Sequence, residues 1–320
     1  MVLQVGDEAV VRVTVATLWS KPEAVRPVDA PIVAAPSDVR GWIAAMTTSE
    51  QGDSAVVTQL LLGERVLVEE IRSDNWVRVV AMEQPAAGLD ARGYPGWLPA
   101  GQLWPAAQGG TAGDGTAADG TASAPEPLVV DVIATELCSA ADGAVVLPGV
   151  LLGPLLVPAG ERRSDWLPVQ VPGWPEPLWV AGDDVRPLPT RPPTGDEVLA
   201  VARRLLDAVY VWGGVSPYGI DCSGLVHLVW RRLGVRLPRD AHEQAAATTA
   251  VPPDHEKPGD LYFFARPGER IHHVGIVTAA PGTEGAGQRR MLHSCFTRHR
   301  VVEEVLSSDR AATLVGAHRV

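Results

Sequence analysis

Cys222 is the residue in this sequence best placed to do covalent chemistry. It stands in YVWGGVSPYGIDCSGLVHLVW, residues 210–230, where a turn-rich approach (Gly213, Gly214, Pro217, Gly219) runs straight into an amphipathic helix. Leu225, Leu228, Val229 and Leu233 share one face of that helix, and Gly234 is a fitting stop just past its end. A thiol on the first residue of a helix meets the positive end of the dipole and unpaired N–H groups. Both are expected to lower its pKa toward thiolate, and the same N–H groups can hold an oxyanion. A free cysteine is otherwise usually a small buried hydrophobe. The glycine-rich approach and the helix start together favour a nucleophile.

A thiol nucleophile needs a base, and the base needs an orienting partner. The run HHVGIVTA alternates like a strand, with His273, Gly275 and Val277 on one face and His272, Val274 and Ile276 on the other. In MLHSCF, Met291, His293 and Cys295 share a face. If the two strands are neighbours, His273 and His293 lie side by side, one taking the thiol proton while the other fixes its tautomer. Gly275 would leave room beside the base. Two strand histidines bonded to backbone would show the same spacing, so the residues alone leave the pairing open.

The elements around these residues change character along the chain. TGDEVLAVARRLLDAVY opens with a capping box, Thr194 and Glu197, and its apolar positions Val198, Ala202, Leu205 and Val209 are spaced for one helix. After the Cys222 helix come strands at GDLYFFA, HHVGIVTA, MLHSCFT and TLVGAHRV, which makes the last third an α+β domain. Upstream lies a weak internal repeat. Its first copy opens with VRVTVATLWSKPE and closes with GYPGWLPAGQL; its second opens with VVDVIATELCSAADG and closes with PLWVAGDDVRPL. Each copy has short alternating stretches, Ser-Asp ahead of a tryptophan (SDNW, SDW), and a second tryptophan on its closing strand. Two small β-barrels are the economical expectation. The expected division is 1–107 for the first barrel, with an insertion at 24–54 carrying one short helix around 38–46; 108–124 for a Gly/Ala/Thr linker; 125–189 for the second barrel; and 190–320 for the α+β domain.

The balance of 27 Lys and Arg against 38 Asp and Glu, net charge −11, argues against a nucleic-acid or anionic-membrane binder, which needs a basic footprint. Three cysteines without a CxxC pair indicate neither a zinc knuckle nor a disulfide framework. There is no HExxH, acidic triplet or Cys/His cluster, so neither metal nor cofactor is called for. The first residues, MVLQVGDEAVVRV, do not read as a secretory signal, and the most apolar stretch, 144–160, contains three prolines and falls short of a membrane span. The expectation is a cytoplasmic protein, or a secreted one if a signal had been removed. Cys138 and Cys295 read as structural, and His227, His242 and His255 as packed or solvated.

YVWGG and DCSGL, followed in order by LPRDAHEQ, PGDLYFF, HHVGIV and LHS, resemble the NlpC/p60 family of cysteine peptidases over roughly residues 196–320. The resemblance implies a papain-like α+β catalytic domain preceded by two bacterial SH3-like barrels, acting on peptide bonds of bacterial cell-wall stem peptides. It makes Cys222 the nucleophile, His273 the base and His293 the orienting residue, with Tyr210 close to the nucleophile and Asp221 and Ser223 lining the substrate site. With two SH3-like copies ahead of it, the chain is similar to the γ-D-glutamyl-L-diamino acid endopeptidases, which recycle wall peptides and require a free N-terminal L-Ala. In that subgroup a carboxylate pairs with the ligand ammonium; Asp240 stands at the matching position, although as a bare sequence feature it reads as a helix cap before AHEQAAAT. An aromatic from the first barrel closes the same pocket, for which Tyr94 of GYPGW is the candidate, with a core role as its alternative. Relatives also use an acid of that barrel, to which no residue here is assigned.

Two departures stand out. Ala241 replaces a hydroxyl residue that contacts substrate, and the connection PGTEGAGQRR is long enough for a surface loop. The expected partners are small murein peptides, with no nucleic acid and no membrane. Rival readings are a secreted hydrolase of intact wall that uses its barrels as binding modules, a non-catalytic wall-peptide sensor, and an acyl transferase built on the same thioester.

Overall fold

The computed structural model describes residues 2–106, 125–281 and 288–320. The linker expected at 108–124 and most of the loop between the two histidine strands lie outside the described residues.

The first β-domain is a seven-stranded sheet in the spatial order Val56–Leu61, Val15–Trp19, Tyr94–Pro99, Trp76–Ala81, Arg65–Ile71, Glu8–Val11, Leu103–Pro105. The second has the same order: Val145–Leu151, Ala134–Cys138, Leu178–Ala181, Trp166–Gln170, Leu155–Pro158, Leu128–Val130, Val185–Pro187. The correspondence extends to register. Trp76 pairs with Pro99 and Arg78 with Trp97; in the second copy Trp166 pairs with Ala181 and Pro168 with Trp179. The two tryptophans of each sequence repeat therefore occupy matching positions. Each sheet also ends in a one-turn 3₁₀ segment, Ala100–Gln102 or Gly182–Asp184, before its last strand.

The insertion holds more than the single expected helix. Helix Val39–Ala45, capped by Asp38 accepting from the Gly41 N–H, is accompanied by short helical turns at Ala30–Val33 and Thr48–Gln51. Its apolar residues Ile32, Trp42, Ile43 and Met46 leave the barrel and join the core of the C-terminal domain. They supply apolar surface that the helices of that domain would otherwise expose.

The C-terminal domain is a nine-stranded sheet whose middle runs Arg300–Val305, Arg290–Cys295, His273–Ala279, Leu261–Phe264, Leu314–Arg319, with helices Gly195–Arg203 and Cys222–Arg232. The capping box closes as expected: Glu197 N–H donates to Thr194 Oγ1 and Thr194 N–H to Glu197 Oε2. The first helix is shorter than its apolar spacing predicts. It stops at Arg203, and Val209 instead begins a two-residue strand beside Gly219–Ile220. The Cys222 helix runs as expected, with Gly234 at φ +80° just beyond its end. Helix Ala241–Ala246 begins directly after Asp240, where AHEQAAAT suggests a helix start, and strand Arg300–Val305 is an addition to the expected set. Among the described residues no helix is long and apolar enough to cross a membrane.

Candidate active site

Asp221 sets the helix that begins with Cys222. Its Oδ1 accepts from the Gly224 N–H at 2.7 Å as a cap, and its Oδ2 accepts from the Gly213 N–H at 2.9 Å, tying the glycine-rich approach to the helix start. A Cβ at Gly224 would lie inside contact distance of the Gly214 carbonyl oxygen, so the tight approach requires glycine there. Asp221 also forms a two-pronged ion pair with Arg239, 2.7 Å from Oδ2 and 3.1 Å from Oδ1. Arg239 is 1% exposed, and it donates further to Ser223 Oγ at 2.9 Å and to Thr58 Oγ1, in the first β-domain, at 2.9 Å. One guanidinium thus satisfies the helix cap and joins two domains. Asp221 and Ser223 line the pocket in front of Cys222, and their polar atoms are largely spent on this support.

The thiol itself departs from expectation. Burial pushes Cys222 up to about 12, and the Asp221 carboxylate adds to the rise. The N–H groups of Val274 and Ser223, both directed at the sulfur, and the Arg239 cation pull the other way without overcoming it. At rest the group is a thiol, because desolvation outweighs the helix terminus.

His273 and His293 do meet. The strands pair with Ile276 opposite Leu292, so the two histidines occupy one face, and His273 Nε2 lies 2.8 Å from His293 Nδ1. Gly275 makes the room: a Cβ there would stand 2.5 Å from Met291 Sδ and 3.2 Å from His293 Cβ. His272, just ahead of the strand, is exposed and lines the pocket in front of Cys222. Burial holds both imidazoles well below the ordinary histidine range; His293 adds to the depression of His273, and Arg310 to that of His293. Beyond His293 stands a residue the sequence reading did not select. Glu304 Oε1 is 3.2 Å from His293 Nε2.

The pocket in front of Cys222 has a volume of about 480 Å³. The catalytic domain contributes Tyr210, Trp212, Ser223, Asp240, Ala241, His242 and the segment 269–272; the first β-domain contributes Ser54, Val56, Val57 and Tyr94. Among the described residues no carboxylate of the first β-domain is in the lining. Tyr210 is buried with its ring edge-on to Phe296, 5.4 Å between centroids. Asp240 stands at the start of helix Ala241–Ala246, but its side chain makes no capping hydrogen bond. It faces Tyr94, whose hydroxyl lies 3.3 and 3.5 Å from its two oxygens. Burial raises the Asp240 pKa, against the pull of Arg239, and the carboxylate has no ion-pair partner among the described residues. His242, expected to be packed or solvated, lines this pocket too; His227 is buried with Nδ1 2.9 Å from the Leu237 carbonyl oxygen. Cys295 and Cys138 are buried, and neither lies in the pocket.

A buried thiol at a helix start, with two hydrogen-bonded imidazoles on an adjoining antiparallel sheet, defines a cysteine hydrolase of papain-like architecture. Residues 207–319 match the model of the NlpC/P60 family, and residues 47–103 match that of the bacterial dipeptidyl-peptidase Sh3 domain. The chain is 31% identical to a gamma-D-glutamyl-L-lysine dipeptidyl-peptidase of Bacillus subtilis (strain 168), over 88% of this chain and 87% of that protein. It is 28% identical to a protein of the same name from Bacillus cereus (strain ATCC 10987), over 90% of this chain and 83% of the other. A solved structure of an NlpC/P60 family protein from Bacillus cereus ATCC 10987 superposes with a TM-score of 0.80 at 27% identity, covering 98% of this chain and 99% of that one. The chain belongs to the NlpC/P60 family, and it is a cysteine peptidase.

Proposed function

We propose that the enzyme hydrolyses the γ-D-glutamyl–diamino acid bond of cell-wall stem peptides that carry a free N-terminal L-Ala. The observation that carries this reading is the half-buried Asp240 carboxylate, without an ion-pair partner among the described residues and facing Tyr94 in the pocket of Cys222. A carboxylate held in such a place gains most from a ligand cation, and an ammonium is the one cation a stem peptide presents at its N-terminal end. A free L-Ala amine is possible only once the peptide has left its sugar, so the substrate is a released murein peptide. The names of the two Bacillus relatives point to the same bond, with L-lysine as their diamino acid.

In this reading Cys222 attacks the γ-carbonyl carbon. The S–H proton passes to Nδ1 of His273, the ring nitrogen that His293 leaves free, and the carbonyl π pair moves onto oxygen. N–H groups at the helix start stabilise that oxyanion. Collapse breaks the C–N bond, His273 returns its proton to the departing amine, and a thioester remains on Cys222. Water, deprotonated by the same imidazole, then attacks the thioester and regenerates the thiol. Because the resting pair is thiol and neutral imidazole, proton transfer accompanies attack.

The test is mass-spectrometric turnover of L-Ala-γ-D-Glu-L-Lys and of its N-acetylated form by wild type, Cys222→Ala and Asp240→Asn. The expected result is cleavage of the free-amine peptide alone, absent in Cys222→Ala and reduced on the order of 100-fold or more in Asp240→Asn, the loss of a buried charge-assisted contact. Equal cleavage of both peptides by wild type overturns the amine-pocket reading and favours a hydrolase of intact wall.

A further inference from the structure

We infer that Glu304 is the positioning residue that sets the tautomers of both active-site histidines. The inference rests on His273 being the base. Glu304 lies on strand Arg300–Val305, beside the strand of His293, where Met291 pairs with Glu304 and His293 with Val302. Its Oε1 lies 3.2 Å from His293 Nε2, and His293 Nδ1 lies 2.8 Å from His273 Nε2.

An ionised carboxylate only accepts, so His293 Nε2 must carry a hydrogen. A neutral imidazole has one N–H, which leaves His293 Nδ1 as a lone pair. That lone pair can only accept from His273 Nε2–H, and so the lone pair of His273 falls on Nδ1, the nitrogen that must take the thiol proton. One carboxylate thereby decides the proton positions on two rings. Burial makes the device necessary. Both imidazoles are kept neutral, so each has two tautomers of similar energy, and the mirror arrangement, His293 Nδ1–H donating to His273 Nε2, leaves His273 with no basic nitrogen toward Cys222. The other charged groups around this row do not substitute for Glu304. Arg310 lies near both rings and stacks on Phe264; Arg298 Nε is 3.5 Å from the second oxygen of Glu304 and anchors it; His272 is exposed; and the Cys295 thiol lies within 3.3 Å of Thr297 Oγ1. The side chain of Glu304 is 30% exposed while that of His293 is fully buried, so the carboxylate is the point where the row reaches water.

The experiment is an epistasis test in the full chain. Glu304→Ala is expected to lower kcat on L-Ala-γ-D-Glu-L-Lys by roughly 10- to 100-fold with KM nearly unchanged, less than the loss from a wholly wrong tautomer. His293→Asn places its amide near the Nδ1 position, where its oxygen can accept from His273, and is too short to reach Glu304. In that background Glu304→Ala is expected to cost less than about twofold, whereas a merely structural role would cost the same in both backgrounds. The ¹⁵N shifts of His293 give a second readout: Nε2 of the N–H type in wild type, and a mixture of both types in Glu304→Ala. Equal losses in the two backgrounds, no loss in either, or unchanged ¹⁵N shifts overturn the inference. Failure of the underlying reading looks different, because His273→Ala would then retain turnover and the pH-dependent alkylation of Cys222 by iodoacetamide that wild type shows.

Discussion

The two β-domains share a strand order and even the register of their paired tryptophans, yet only the first reaches the catalytic pocket. Its insertion packs into the catalytic core through Trp42 and Ile43, its strand Val56–Leu61 supplies Thr58 to Arg239, and its strand Tyr94–Pro99 sends Tyr94 to Asp240. The turn ahead of Tyr94 docks as well: the Arg239 N–H donates to the Pro85 carbonyl, and the Gly88 N–H to Glu243 Oε1 at 2.6 Å. The second domain touches the catalytic domain outside that pocket, where Asp131 Oδ1 is shared by Arg204 and Arg232, each at 2.7 Å, and Leu151 and Leu152 join the core. Counting back from the matched tryptophans Trp97 and Trp179, the position of Tyr94 is taken by Glu176, which lies ahead of strand Leu178–Ala181 and is exposed. One fold serves as an active-site wall in one copy and as a buttress in the other. The difference lies in side chains and connecting loops grafted on equivalent strands, not in the strands.

The largest effect that would sharpen this contrast comes from Arg239→Met. It leaves Asp221 buried without its cation and cuts the link to Thr58, so a loss of about 3–5 kcal/mol in stability is expected, together with a collapse of kcat; a variant as stable and active as wild type would break the claim that the first domain helps build the site. Next comes Tyr94→Phe, for which KM toward the free-amine peptide should rise about 2- to 10-fold, the worth of one hydrogen bond, with kcat little changed. Glu176→Ala is its control in the other copy, and an equal effect there would erase the distinction.

The pH profile separates the first domain's pocket from the histidine row. His273 is depressed, so it stays neutral as pH falls through the ordinary histidine range, and kcat should hold through pH ~6.5 before declining. Burial raises the Asp240 pKa, and in the proposed reading the carboxylate must be ionised to bind an ammonium, so kcat/KM should begin to fall above the usual Asp value, and this limb should vanish in Asp240→Asn. A kcat that titrates near 6.5 would contradict the first statement. The smallest effect belongs to the buttress. Burial raises the Asp131 carboxyl, but Arg232 and Arg204 outweigh it and the net shift is downward, so its stabilisation is present above the unfolded pKa and lost as pH falls through the lower folded one. Asp131→Asn should cost about 1 kcal/mol or less at neutral pH in a partly solvated network, measured as a small drop in Tm, and should leave kcat and KM alone.

Local signals were legible without the structure. The capping box at Thr194, the helix beginning at Cys222 and the alternation around His273 and His293 depend on neighbours a few residues apart, and they appear where the residue pattern places them. The tryptophans of the β repeat marked corresponding strands, while the register between those strands came from the structure. Other features were not legible because they depend on distant neighbours. The helix from Gly195 stops at Arg203 instead of carrying Val209, which finds strand partners at Gly219 and Arg300. Glu304 gave only a weak signal, the second of two adjacent glutamates in VVEEV, which lacks the alternation of a half-buried strand, and Arg239 sat unremarked beside Asp240 in LPRDAHEQ.

What the sequence by itself determined is the set of reactive side chains and the short-range order that starts a helix at a thiol and alternates histidines along strands. Tertiary structure decided their states. Burial, not the helix dipole, set the Cys222 proton; a strand partner placed Glu304 behind His293; and a tyrosine 146 residues away turned Asp240 from a candidate helix cap into a pocket carboxylate. The physical reason is range. Caps and alternation are settled within a turn or two of chain, whereas desolvation and charge pairing depend on everything that folds against a group.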